Sequence, residues 1–205
     1  MSKQAAQQNN LRQNLRTALR KKRKSLSTKT QQAHAMQLAE RLCNCPLYKR
    51  SKRIAVYLAG DGEIDPSLFI LRAWKHNKKV YLPVLSPFSS RINFAPYTPD
   101  SKMKLNRFDI AEPDVHPKHW LKPHQMQLIL TPLVGFDMMG NRLGMGGGFY
   151  DRSLSFTRFR KSSHAPWLMG LAHQLQCVDE LPLQAHDIPM KMIMTEQGLY
   201  EISPV

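Results

Sequence analysis

Apolar positions along the chain keep two rhythms, and the switches between them predict the elements. Leu11, Leu15 and Leu19 recur every fourth residue, which predicts a helix from Leu11. The polar, Gln- and Asn-rich residues 1–10 before it are expected to be disordered. Thr28 and Gln31 have capping-box spacing, so a second helix is expected there, with Ala35, Leu38, Ala39 and Leu42 on its apolar side and Pro46 at its end. Ile54–Leu58 reads as a strand. Asp65-Pro66 has the form of an N-cap followed by Pro at the first helical position, with Leu68, Leu71, Ala73 and Trp74 expected on that helix's core face. Lys79–Leu85 is again strand-like. Arg91–Tyr97 alternates, and Pro96 and Pro99 place it near a sheet edge, with antiparallel pairing expected. Lys102–Gln125 is loop-like. Leu128–Val134 is a short continuous apolar run of the kind buried on both faces in a parallel sheet. A helix over Asp151–Lys161 and strands over Trp167–Ala172 and Met192–Thr195 complete the reading.

Strand, helix, strand in this order implies right-handed crossovers and a parallel sheet. The expected class is α/β: a single domain over residues 11–205, three-layered and Rossmann-like, with helices on both faces of a mostly parallel sheet. A length of 205 residues suits one such domain, and no internal repeat is visible.

Charge changes this picture at one end. Residues 1–53 hold 14 Lys and Arg against a single acid, Glu40, whereas the rest of the chain is close to neutral. Such an arm attracts polyanions, whether nucleic acid, nucleotide or a polycarboxylate ligand. Three cysteines without a C-x-x-C spacing suggest neither a zinc site nor a disulfide framework. With no apolar stretch of membrane-spanning length and no secretory signal, the expectation is a cytoplasmic protein. His116, His119 and His124 fit no metal-ligand spacing and read as ordinary histidines.

The candidate chemistry lies in Leu128–Arg152, where a buried strand runs into a loop carrying Gly140, Gly144, Gly146, Gly147 and Gly148 and then into a helix at Phe149-Tyr150-Asp151-Arg152. Strand, glycine loop and helix N-terminus together present bare backbone N–H groups to an anion. A dinucleotide fingerprint starting at Gly144 would need Gly in place of Phe149, and a Walker A loop would need Gly-Lys-Ser/Thr; neither is present. Glu63, beyond a strand end and before a helix, sits where open α/β sheets bind ligands. These residues alone support a nucleotide or phosphorylated-metabolite enzyme. They leave open a basic nucleic-acid-binding protein, or a sugar-phosphate isomerase or acyl-transfer enzyme on a similar sheet.

RLGMGGGFYD resembles the signature of the 5-formyltetrahydrofolate cyclo-ligase (5,10-methenyltetrahydrofolate synthetase) family, FD-x-x-G-x-RLG-x-G-x-G-[YF]-YD. Phe136-Asp137, Gly140, Arg142-Leu143-Gly144, Gly146, Gly148 and Phe149-Tyr150-Asp151 all fall in place. YLAGDGEID, GLAHQLQ and Asp187-Ile188-Pro189-Met190 resemble further segments, so the match runs from about Leu11 to Ile202. The resemblance implies a sheet like that of the NagB/RpiA/CoA-transferase-like proteins. It also implies an ATP- and Mg²⁺-dependent conversion of 5-formyltetrahydrofolate, free or polyglutamylated, to 5,10-methenyltetrahydrofolate, ADP and phosphate. Residue by residue, it implies ATP contacts from Arg12 (where many members have Lys), Arg16, Arg20, Arg142, Leu143, Gly144, Met145, Gly146, Gly147, Gly148, Phe149 and Tyr150. Folate contacts are implied for Leu58, Glu63 and Phe149, Mg²⁺ ligation for Asp151 and Asp187, and catalytic roles for Arg142 and Tyr150. The expected partners are these small molecules, not a membrane or nucleic acid, and the expected state is a monomer.

Overall fold

The computed structural model describes residues 3–86, 89–158 and 165–202. In chain order its elements are α1 (Lys3–Lys24), α2 (Thr28–Asn44), α3 (Pro46–Arg50), β1 (Arg53–Ala55), α4 (Ser67–Lys75), β2 (Lys79–Leu85), β3 (Ile92–Tyr97), β4 (Met103–Leu105), β5 (Ala111–Pro113), β6 (Leu128–Pro132), β7 (Gly135–Phe136), β8 (Arg142–Leu143), α5 (Phe149–Leu154), β9 (Trp167–Leu171), β10 (Met192–Met194) and β11 (Leu199–Glu201). One sheet has the order β11-β10-β9-β6-β1-β2-β3. Its five inner strands are parallel, and both edge strands, β3 and β11, run antiparallel to their neighbours.

The continuous apolar run at β6 becomes the middle strand because both of its faces meet a packed layer. Leu128 and Leu130 join a core with α2, α3 and α4 that includes Leu38, Leu42, Phe69 and Ile70. Ile129 points the other way, into a core with Phe94, Phe136 and Leu154 of α5. The period-two alternation of a strand thus feeds two hydrophobic layers, and the helices cover both faces as expected. Emptying one such position, Leu128→Ala for example, costs about 2–5 kcal/mol.

Several local expectations shift by a residue or a face. α1 begins at Lys3, inside the segment expected to be disordered, and Gln8 and Asn9 bond the Leu183–Gln184 region. Its buried face takes in only part of the leucine stripe: Leu19 is buried and Leu15 packs against the same small core, but Leu11 is exposed, and Arg12 and Arg23 are buried instead. Ser27, not Thr28, caps α2, its Oγ accepting from Thr30 N at 3.1 Å, a cap of about 1 kcal/mol. α4 buries Phe69, Ile70 and Ala73 and leaves Leu68 and Leu71 exposed, while Asp65 accepts from Ser67 N at 2.8 Å. The loop-like stretch after β3 holds an unexpected hairpin, β4–β5. The helix expected over Asp151–Lys161 starts earlier, at Phe149, and gives way to a 3-10 turn after Leu154; residues 159–161 lie outside the described ones. β11 was not foreseen. Among the described residues no helix is long and apolar enough to cross a membrane.

The chain leaves β1 for β2 on one side and later returns to β6 on the other. The strand order therefore reverses between β1 and β6. That switch point opens a crevice beyond the carboxyl ends of the two strands, where ligands bind in such sheets.

Candidate active site

Two segments leave the sheet at this crevice: Val56–Glu63 after β1 and Leu133–Gly148 after β6. Between them lies a pocket of about 300 Å³. Of the residues singled out from the sequence, Arg12, Arg16, Leu58, Glu63, Arg142, Gly144, Met145, Gly146, Gly147, Gly148, Phe149, Tyr150, Asp151 and Asp187 all line it. Two do not. Leu143 is fully buried in a small core with Leu19, Val134 and Leu181. Arg20 turns to Asp61, donating from Nε at 2.6 Å and from a terminal nitrogen at 3.0 Å. A larger hollow of about 420 Å³, between α2 and the β10–β11 edge, gathers none of these groups.

The glycine loop is fastened at its base by Asp137, which is fully buried. Its carboxylate accepts from Met139 N and Asn141 N at 3.0 Å, from the Asn141 side chain at 2.9 Å and from Leu181 N at 3.1 Å. This closes the β7–β8 hairpin and aims Arg142 inward. Gly148, at φ 63°, adopts the left-handed conformation that begins α5, where a side chain would meet Arg152. Arg152 donates to the Gly147 carbonyl and lies over the Phe149 ring.

Four arginines of α1 then divide between two ends of the pocket. Arg12 donates to both oxygens of Asp187, at 2.6 and 3.1 Å, and to the Pro182 carbonyl at 2.6 Å. Arg16 Nε donates to the Gly144 carbonyl at 2.8 Å, and its guanidinium lies against Gly146. Burial, followed by the charge of Arg12, pulls Arg16 below its ordinary value. At the other end Arg23 is fully buried. It donates to the Asp61 carbonyl at 2.8 Å, the Asp61 carboxylate at 2.7 Å and the Leu133 carbonyl at 3.1 Å. Lys24 also pairs with Asp61. The hydrogen bond from Arg20 is the main reason Asp61 is held well below the usual carboxylate range, with Lys24 and Arg23 adding to it.

Asp61 sits at φ 53° in the turn that carries Glu63. Glu63 accepts from Gly60 N at 3.2 Å and lies 3.7 Å from Arg23. Burial raises its pKa, with Arg23 and the Gly60 N–H pulling the other way. Across the pocket, burial and the Glu63 charge push Tyr150 well up, so its hydroxyl stays protonated at neutral pH and can donate. Arg142 donates to Asp151 and, at 3.1 Å, to the Ile188 carbonyl, and Ile188 N donates to the same Asp151 oxygen at 3.1 Å. The two aspartates are thereby held on one wall.

Sequence reasoning missed Arg23, Asp61 and the β4–β5 hairpin, whose Ile110 and Ala111 line the pocket and whose Phe108 meets Phe149 edge to face. It also missed Gln184 and His186 on the aspartate wall. A signal for Arg23 was present: it stands four residues after Leu19, on the side of α1 that packs inward.

This pocket can hold an extended anion along the arginines and glycine loop, beside a ligand that meets Glu63, Leu58 and Phe149. Known proteins are similar to this one over nearly the whole chain. A family model described as the 5-formyltetrahydrofolate cyclo-ligase family matches residues 8–196. The 5-formyltetrahydrofolate cyclo-ligase of Haemophilus influenzae is 41% identical over 180 residues, covering 87% of this chain and 94% of the relative. That of Escherichia coli K12 is 38% identical over 184 residues, covering 89% and 99%. The solved 5,10-methenyltetrahydrofolate synthetase of Aquifex aeolicus superposes with a TM-score of 0.80 at 27% identity, covering 95% of this chain and 94% of that one. With sequence, fold and the placement of the glycine signature in agreement, the chain belongs to the 5-formyltetrahydrofolate cyclo-ligase family.

Proposed function

We propose that the pocket converts ATP and 5-formyltetrahydrofolate to 5,10-methenyltetrahydrofolate, ADP and phosphate. A formyl oxygen on nitrogen is a poor leaving group. Transfer of the terminal phosphoryl group of ATP to that oxygen makes it a good one. N10 of the folate then attacks the formyl carbon and loses its proton, and the oxygen departs with the phosphate. Phosphoryl transfer asks a protein chiefly for position and charge neutralisation. The observation that carries this reading is the convergence of Arg12, Arg16, Arg142 and the Gly144–Gly148 loop with Glu63 on one pocket.

In this assignment Arg16, Arg12 and the loop N–H groups hold the phosphates, with Arg142 and Tyr150 donating where charge develops. Leu58, Glu63 and Phe149 hold the folate. Asp151 and Asp187 are assigned to Mg²⁺, and their oxygens are the hard donors such an ion takes. The fit is unequal: one Asp151 oxygen makes no hydrogen bond among the described residues, whereas Arg12 covers both oxygens of Asp187. When bound, the ion neutralises phosphate charge. We assign the activity to a monomer in the cytoplasm. Support for the compartment comes from Cys43, Cys45 and Cys177, all free thiols.

The test is the near-ultraviolet absorbance of methenyltetrahydrofolate after mixing protein, ATP, Mg²⁺ and 5-formyltetrahydrofolate. Product is expected only with both ATP and the metal. Turnover in excess chelator would remove the metal from the reading, and no product under any condition would end it.

A further inference from the structure

We propose that His34, His173 and Glu196 form a metal site of their own, away from the pocket, for a divalent cation of the zinc class. The register of the sheet makes the cluster. Leu171 of β9 pairs with Met194 of β10, so His173 and Glu196, each two residues beyond, leave the sheet side by side. α2 packs over this end and brings down His34. The Nδ1 atoms of His34 and His173 face each other at 2.8 Å, and His34 Nε2 lies 3.8 Å from a Glu196 oxygen. One ligand atom from each residue can be taken with all three within 4.8 Å of one another.

Neighbouring groups already orient the ligands. One Glu196 oxygen accepts from Gln174 N at 2.9 Å, and the other makes no hydrogen bond among the described residues and is left facing His34. Arg41 Nε donates to the Glu196 carbonyl at 2.8 Å, and Gln176 accepts from His173 N at 2.8 Å. Two of these bonds fix the main chain at Glu196 and His173 and one holds a Glu196 carboxylate oxygen, while His173 Nε2 is buried with no hydrogen-bond partner. His173 is fully buried and Glu196 nearly so, while the His34 side chain, 18% exposed, gives the cluster its contact with solvent.

Zinc–nitrogen and zinc–oxygen bonds of about 2.0–2.2 Å place ligand atoms roughly 3–4 Å apart. A small rotation of the His34 ring would reach this, the cation taking the place of the proton shared by the two Nδ1 atoms. Two imidazoles and one carboxylate favour zinc, cobalt or nickel over magnesium, which sets this site apart from the Asp151–Asp187 wall. The cation would tie α2 to the ends of β9 and β10.

The test uses metal-free protein titrated with Co²⁺ in excess Mg²⁺, followed by visible absorption. One equivalent is expected to bind with the intense d–d bands of a low-coordinate nitrogen–oxygen site. His34→Ala, at a partly exposed helix position, should weaken binding by at least about tenfold, and Glu196→Gln should do the same. Zn²⁺ should raise the melting temperature of the parent protein but not that of His34→Ala, because it binds only the folded cluster. Asp151→Asn should leave the spectrum unchanged. Equal Co²⁺ affinity in His34→Ala, a spectrum that shifts with Asp151→Asn, or thiolate charge-transfer bands from the cysteines would each overturn the site.

Discussion

Arg12 and Asp187, 175 residues apart in sequence, form a two-pronged ion pair in which the arginine side chain is almost fully enclosed. A residue assigned to phosphate thus holds a residue assigned to metal. Removing the acid strands a buried cation, which costs roughly 3–5 kcal/mol. Asp187→Asn is therefore expected to lose stability as well as turnover, with a melting temperature lower by on the order of 10 °C. Calorimetry without ligands checks this, and an unchanged melting temperature would contradict the pair's structural part. Asp151→Asn should behave similarly, because Arg142 is also buried.

Arg16 alone of the four α1 arginines lies over the glycine loop without a carboxylate partner among the described residues. Arg16→Ala should raise KM for ATP or lower kcat by about tenfold to a hundredfold, the worth of a charge-assisted hydrogen bond of about 1.5–3 kcal/mol. Lys21→Ala/Lys22→Ala, at exposed positions, should leave ATP kinetics near the parent values. If instead the lysine pair alone altered ATP kinetics, the phosphate end would be misassigned.

Glu63 carries a folded-state pKa above its unfolded value, mainly through burial. Between those two values the folded state binds more protons than the unfolded one, so this group's contribution to stability falls as pH rises through that window. Glu63→Gln should remove the penalty and be at least as stable as the parent at neutral pH. It should also raise KM for 5-formyltetrahydrofolate far more than KM for ATP. Equal losses for both ligands would argue against a folate contact.

Asp61 gathers Arg20, Arg23 and Lys24 at the turn that carries Glu63. Asp61→Asn should destabilise the protein by roughly 3 kcal/mol or more, since Arg23 has no exposed surface. Any residual activity should show a raised KM for the folate with KM for ATP little changed. With Asp61 held below its unfolded value, its stabilisation is complete above the unfolded pKa and is lost as pH falls through the folded one. Acid unfolding curves of parent and variant should accordingly converge at low pH.

The elements were legible where neighbours in sequence decide them. Lys79–Leu85 has strand residues and turn signals at both ends, and it forms β2 with those bounds. Ala35, Leu38, Ala39 and Leu42 share one helical face whatever packs on it, and all four are buried. The glycine signature was readable because a chain that must bare its backbone has few residue types to use. Tertiary structure decided where the charges go. In α1 the leucine spacing marked part of the inward face, Leu15 and Leu19, but not that Arg12 and Arg23 would be buried on it, which happens because Asp61, Asp187 and the Leu133 carbonyl satisfy them. Whether an arginine meets solvent, an aspartate 38 residues away or one 175 residues away depends on how the strands are ordered, and no local pattern encodes that. The division of the basic arm between the two ends of the pocket follows from the reversal of strand order between β1 and β6. Only the folded sheet brings the two segments together.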